Sequence, residues 1–170
     1  SEVKKLATNQ FIPNTYTRTE VGHPISSFYG YVIDGIFQTQ GEVDSHVEQS
    51  DKAIGRWKYR DVNNDGKIDS QDRAYIGNPH PDFEYSLSSR FYYKNFDLSL
   101  YIQGSQGNDI CFASKGGRDG LDFWGDYFNK STRILNTWTP ENRNAELPEI
   151  NILNPNDEAG KVSSYLIEDG

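Results

Sequence analysis

The strongest periodicity in the chain lies over residues 82–103. Phe83, Tyr85, Leu87, Phe91 and Tyr93 take alternate positions, interrupted by the small Ser89, while Glu84, Ser86, Ser88 and Arg90 fill the positions between. After Lys94-Asn95 the alternation resumes, with Phe96, Leu98, Leu100 and Ile102 set against Asp97, Ser99, Tyr101 and Gln103. Period two on both sides of a two-residue polar link predicts a β-hairpin over 82–104. Each arm is as long as the ~9–11 residues of a transmembrane β-strand. Phe91, Tyr92, Tyr93 and Phe96 gather at the turn end. An outer-membrane barrel would place an interfacial aromatic girdle there, beside a short periplasmic turn. The same pattern also describes an amphipathic hairpin of a soluble sheet.

Elsewhere the patterning is weaker. Residues 1–24 hold no long apolar period and read as an extended lead-in. Residues 26–38 have strand composition, and Gly30 and Gly35 within them predict a bend or bulge. The charged stretch 40–55 reads as a loop or a short exposed helix. Residues 104–121 are rich in Gly and Asp and read as loop. Over 122–138 the spacing of Phe123, Tyr127, Ile134, Leu135 and Trp138 predicts one short helix, started by Asp122 and stopped by Thr139-Pro140. From 139 to 170 no regular element is predicted. So much loop between so few strands fits long loops hung on a larger scaffold.

Composition narrows the classes. The 170 residues suit one ordinary domain, and an aromatic share of 14% favours pleated, half-buried surfaces. No apolar run approaches the ~20 residues of a membrane-spanning helix. With 25 Asp+Glu against 17 Lys+Arg, the net charge of −8 argues against nucleic acid and suits cations or neutral polar ligands. Cys111 stands alone, so no intramolecular disulfide forms, and His23, His46 and His80 are too scattered for a zinc motif. With no signal peptide at Ser1 and no methionine, the chain reads as an internal piece of a longer protein or a piece cut out for expression.

The sharpest local motif is DVNNDGKIDSQD, residues 61–72. Asp61, Asn63, Asp65, Asp69 and Asp72 supply side-chain oxygens at positions 1, 3, 5, 9 and 12 of a calcium loop. Gly66 stands where the backbone must turn sharply, and Lys67 can offer its carbonyl while its ammonium points to solvent. Without a cation these carboxylates would repel one another. Asp72 is shorter than the usual Glu, and the flanks 56–60 and 73–76 look extended. The motif therefore resembles dockerin-type and other extracellular calcium modules more than an EF-hand. An acidic Asx-turn loop without metal is the alternative, since Asn-Asp-Gly is strong turn chemistry.

Catalytic signals are poor. There is no nucleophile elbow, no phosphate loop and no nucleophile–base pair, so no enzyme is expected. Asp119, Asp122 and Asp126 could pair as in a glycosidase, but Asp at a loop or helix start also caps. Cys111 reads as a small buried side chain. Trp57, Trp124 and Trp138 could stack on sugars but suit packing. His80, between Pro79 and Pro81, reads as a rigid-turn residue.

Four blocks occur in one order: 18–38, 55–110 (GRWKYRDVNNDGKIDSQDRAYIGNPHPDFEYSLSSRFYYKNFDLSLYIQGSQGNDI), 135–148 and 165–170. Together they resemble the C-terminal part of SusC/RagA-type TonB-dependent outer-membrane transporters. The resemblance implies a mainly β fold: antiparallel strands of a large outer-membrane β-barrel with long extracellular loops, one short helix and a calcium-type acidic loop. Residues 1–170 would be a partial C-terminal barrel region, with the acidic loop region at 55–80. It implies import of glycans, oligosaccharides or peptides, with a SusD-type surface lipoprotein as lid. Energy would come from the TonB complex through regions that this stretch does not hold.

Residues 83–93 and 96–103 would then be adjacent barrel strands. Phe83, Tyr85, Leu87, Leu98, Leu100 and Ile102 would face outer-membrane lipid. Glu84, Ser86, Arg90, Asp97, Ser99 and Gln103 would face the lumen, and the acidic loop and the 122–138 helix would lie in extracellular loops. Ca2+ at 61–72 would stiffen a loop. Such transporters close with about 22 strands, and a stretch offering about four to six cannot close alone. The rival reading is a soluble secreted calcium-dependent carbohydrate- or protein-binding module.

Overall fold

The computed structural model describes residues 2–7, 11–50, 52–119, 121, 129–150 and 161–170. Strands β1 (Ile12–Pro13), β2 (Thr17–Thr19), β3 (Ser27–Tyr31) and β6 (Arg73–Gly77) form an antiparallel sheet in the order β1-β2-β3-β6. The expected lead-in thus contributes two short strands. Pro13 is tolerated because β1 is the sheet's edge, where no ladder donor is required. Strands β4 (Ile33–Ile36) and β5 (Trp57–Tyr59) form a separate antiparallel pair.

The expected strand over 26–38 is therefore two strands, β3 and β4. The register slips between Phe28 and Tyr29 and again between Ile33 and Gly35, so the bulge expectation holds at Gly35. Gly30 has another reason. A Cβ there would lie 2.4 Å from the Val162 carbonyl oxygen. That carbonyl accepts from the Tyr31 N–H at 2.8 Å. Only a residue without a side chain lets the distant 161–163 segment lie this close.

Helix α1 (Gln40–Ser45) begins at Thr39, whose hydroxyl accepts the Glu42 N–H at 3.2 Å, and it buries Val43. The short-helix option for 40–55 is the one realised. Trp57 and Tyr59 are buried together with Leu121, and Tyr31, Ile33, Ile36, Ile68 and Tyr165 pack around them. Buried Gln49 serves as a one-residue strand beside β5. It donates Nε2–H to the Trp57 carbonyl at 2.8 Å and accepts the Tyr59 N–H at 3.0 Å.

Beyond this packed part stands the hairpin of β7 (Phe83–Tyr93) and β8 (Phe96–Gln106), joined by Lys94-Asn95. Lys94 takes a left-handed φ of 52° to make the turn. Pairing runs unslipped from Tyr93↔Phe96 to Phe83↔Gln106. Eleven residues at ~3.3 Å rise, tilted about 45°, cross ~25 Å, the height of a barrel's apolar band. β8 runs three residues past the predicted end. The Tyr85 ring lies against Gly104, within 2.4 Å of where a Cβ would stand, and covers the strand where glycine leaves it bare.

Strand β9 (Asp109–Cys111) pairs antiparallel with β10 (Ile167–Asp169). Helix α2 (Lys115–Arg118) follows β9. These elements correct the expectation of loop over 104–121 and of no regular element after 139. Their pairing joins segments far apart in sequence, which local pattern does not reveal. The expected helix over 122–138 lies partly outside the described residues. Its described part holds a 3-10 turn, Thr132–Asn136, with Leu135 84% exposed, while Trp138 beyond the turn is buried, so the apolar spacing there does not lie on one buried face.

Gly30→Ala must push the 161–163 segment off β3. We expect a loss of about 1–3 kcal/mol, read as a lowered denaturation midpoint of the intact protein.

Candidate functional site

The hairpin register sorts its side chains into two faces. Leu87 stands opposite Ile102, Ser89 opposite Leu100 and Phe91 opposite Leu98 on one; Ser86 opposite Gln103 and Arg90 opposite Ser99 on the other. The six residues expected on the lipid side share one face, and the six expected on the lumen side share the other. On the polar face the Arg90 guanidinium grips Asp97, with Nε donating at 3.0 and 3.2 Å and a terminal nitrogen also donating. Toward the open end, Glu84, Ser86, Tyr101, Gln103 and Ser105 line a recess of about 400 Å³. There the Tyr101 hydroxyl donates to Gln103 Oε1 at 2.7 Å. The opposite face is apolar and uncovered, with Leu87 61%, Leu98 54% and Leu100 46% exposed. A contiguous apolar face of this length marks an interaction surface.

The acidic loop is closed by its own hydrogen bonds. Asp61 accepts the backbone N–H groups of Asn64 at 2.6 Å and Asp65 at 3.3 Å on one oxygen, and that of Gly66 at 2.9 Å on the other. Asn63 accepts from the Asp65 N–H, and Asp65 from the Lys67 N–H. Asn64 and Gly66 take positive φ values of 59° and 88°, the sharp turn expected at position 6. Asp72 is fully buried and accepts from Val62 N–H at 2.9 Å and Asp69 N–H at 2.8 Å.

The Lys67 side chain is exposed, and its ammonium also turns back onto the loop. It reaches Asp69 at 2.9 Å and Asp65 at 4.0 Å, so a side-chain cation relieves part of the carboxylate repulsion. The Gln71 N–H bond and then Lys67 hold the Asp69 carboxyl below its ordinary range. Among the described residues no three acidic, His or Cys side chains converge on one point. Ile68 ties the loop to the packed part, since Ile68 N–H donates to the Glu48 carbonyl at 2.7 Å and Glu48 N–H to the Gly66 carbonyl at 3.0 Å.

Sequence reasoning missed an ionic cluster, built on buried Lys115 and Asp119, that joins α2 to β10. Lys115, 7% exposed, donates to the Tyr165 carbonyl and pairs with Glu168, both at 2.8 Å. Asp119, 2% exposed, accepts the Tyr165 hydroxyl and pairs with Arg133 at 3.3 Å. Burial, then the bond to Asp119, pushes the Tyr165 phenol above its ordinary value, while Lys115 draws the Glu168 carboxyl down. The only sequence signal was a Lys and an Asp, Lys115 and Asp119, at positions that fold into the interior.

The remaining candidates fall into place around this packing. Asp119 is engaged in the cluster, while Asp122, Asp126 and Trp124 lie outside the described residues. Trp57 is buried, and buried Trp138 donates to Gln38 Oε1 at 2.9 Å, so both are packing residues. Cys111 is half-buried in β9, and burial pushes its thiol up. His80 holds the turn expected of it, with Nε2 2.9 Å from the Ile25 carbonyl.

No family model matches the chain. It is 31% identical over 148 residues to TonB-dependent receptor P26 of Formosa agariphila, which covers 84% of this chain and 14% of that protein. It is 30% identical over 150 residues to TonB-dependent receptor P3 of the same organism, covering 88% of this chain and 14% of the relative. The chain thus spans about one seventh of these relatives' length. Its fold matches a solved structure of the RagAB peptide importer in the "closed-closed" state with a TM-score of 0.65 and 19% identity. That match covers 99% of this chain and 18% of the solved one.

Asp119→Ala leaves the half-buried Tyr165 hydroxyl without its acceptor and removes a partner of Arg133. We expect a loss of about 1–3 kcal/mol, seen as a lower thermal midpoint of the intact protein.

Proposed function

Because this chain is homologous, over most of its length, to a segment of TonB-dependent receptors, we propose that it forms part of the wall and outer loops of an outer-membrane nutrient importer of the SusC/RagA type. The observation that supports this most is the hairpin, two unslipped eleven-residue strands with one apolar and one polar face. Lipid replaces the missing cover on the Leu87, Leu98, Leu100 and Ile102 face, and water fills the lumen along Ser86, Arg90, Asp97 and Gln103. The packed part then sits beyond the open end of the hairpin, on the extracellular side, with the aromatic turn on the periplasmic side. The cargo is a glycan, oligosaccharide or peptide, passed on beneath a SusD-type lipoprotein. The TonB complex drives the process through other regions of the receptor. The chain's part in this is passage, not catalysis.

We also propose that the 61–72 loop takes Ca2+, with Asp61, Asn63, Asp65, Asp69, Asp72 and the Lys67 carbonyl as its ligands. The spacing of the oxygens and the left-handed turn at Asn64 and Gly66 support this. Lys67 would release Asp69 as the stronger cation enters.

In the intact receptor, Leu100→Arg places a charge near mid-strand on the apolar face and costs ~2–4 kcal/mol at a bilayer midplane. We expect its outer-membrane level to fall, while Ser86→Arg on the polar face assembles normally. Equal behaviour of the two variants would count against the barrel. For the loop, calorimetric titration should show calcium binding at roughly 10⁻⁴–10⁻³ M, weakened by Asp65→Ala. Absence of heat through the millimolar range would remove calcium from the account.

A further inference from the structure

We infer that the four-stranded sheet holds a binding site for one oxyanion group, a carboxylate or a sulfate, between Arg18 and Arg73. Arg18 lies on β2 and Arg73 on β6, the two neighbours of β3, and Tyr29 of β3 is shared by both. The guanidinium carbon of Arg18 is 4.8 Å from the Tyr29 ring centre and 3.7 Å from that of Phe11; that of Arg73 is 5.2 Å from Tyr29. Both arginines line a cavity of about 160 Å³, with Phe11, Asn14 and Ser70 also in its wall. At ~30 Å³ per water in the liquid, that volume holds about five waters, room for an oxyanion group with part of its hydration.

The arginines' hydrogen bonds leave donors over. Arg18 gives one terminal nitrogen to the Tyr29 hydroxyl at 2.9 Å and the other to Glu20 at 3.0 Å. Arg73 gives a terminal nitrogen to the Tyr29 carbonyl at 2.6 Å and the Thr15 carbonyl at 3.4 Å. The Nε–H of each is buried and has no acceptor. Native structures rarely leave such donors unpaired. On each guanidinium the terminal nitrogen beside Nε–H is already engaged, with Glu20 on Arg18 and with the two carbonyls on Arg73, so an oxyanion would take the two Nε–H groups and the remaining terminal N–H groups one bond at a time. Glu20 offsets the charge of Arg18, and the charge of Arg73 is the one an anion would satisfy.

The site stands whether or not the import reading does, because its test reads binding heat. The intact receptor in detergent is titrated at fixed ionic strength with acetate, sulfate, glucuronate and galactose 6-sulfate, with glucose as the neutral control. Saturable binding of at least one anion in the millimolar range is expected, none of glucose, and about a tenfold or greater loss in Arg73→Gln. Arg73→Lys should restore only part, since it returns the charge without the guanidinium's spread of donors. Tighter binding of the sugar acids than of acetate and sulfate assigns the site to an acidic group on a larger ligand; equal binding assigns it to the free ion. If Arg73→Gln fails to assemble, Arg18→Gln carries the same test, because it leaves both carbonyl contacts of Arg73 in place. No saturable heat with any anion, or affinity unchanged in the variant, overturns the site.

Discussion

A pleated strand sends successive side chains to opposite faces, so a slip of one residue exchanges the two faces completely. The hairpin depends on that register being held over its full length. The two-residue link at Lys94-Asn95 fixes the first pair, Tyr93↔Phe96, and every later pair follows from it. The Arg90–Asp97 bridge, diagonal across the strands next to the turn, pins the same alignment on the polar side. One face is thus apolar from Phe83 to Phe96 and the other hydrogen-bonding. That is the condition for a wall between hydrocarbon and water.

The packed part obeys a different rule. Its apolar centre is small, and much of its cohesion comes from buried polar groups that find partners. Gln49 completes the edge of β5, Asp72 closes the acidic loop, and Lys115 and Asp119 fasten α2 to the 165–168 segment. Each replaces a stretch of regular ladder with one or two side-chain bonds. A buried polar group left unpaired costs more than its bond contributes. These residues therefore specify the loop arrangement sharply while supplying little net stability. Such a framework can hold long segments beyond a barrel rim without a large core.

The two parts meet at the open end of the hairpin. Asp82 N–H donates to the Gln106 carbonyl, Asp109 N–H to the Asn78 carbonyl, and the Asp109 carboxylate accepts from Asn78 N–H. The strand ends are therefore tied to β6 and β9.

The sequence alone determined the hairpin, its turn, the membership of its two faces and the sharp turn at Gly66, because each depends on neighbours one to three residues apart. The extended flanks of the acidic loop were legible for the same reason. Tertiary structure decided the rest. Gly30 is small because Val162 approaches it, β9 finds β10 across more than fifty residues, and Lys67 turns back onto Asp69. Lys115 and Asp119 carry surface chemistry in the sequence, yet they are interior once Tyr165 and Arg133 are brought to them. Local pattern reports the pleat; contacts between distant segments exist only after chain closure, and no short window of residues encodes them.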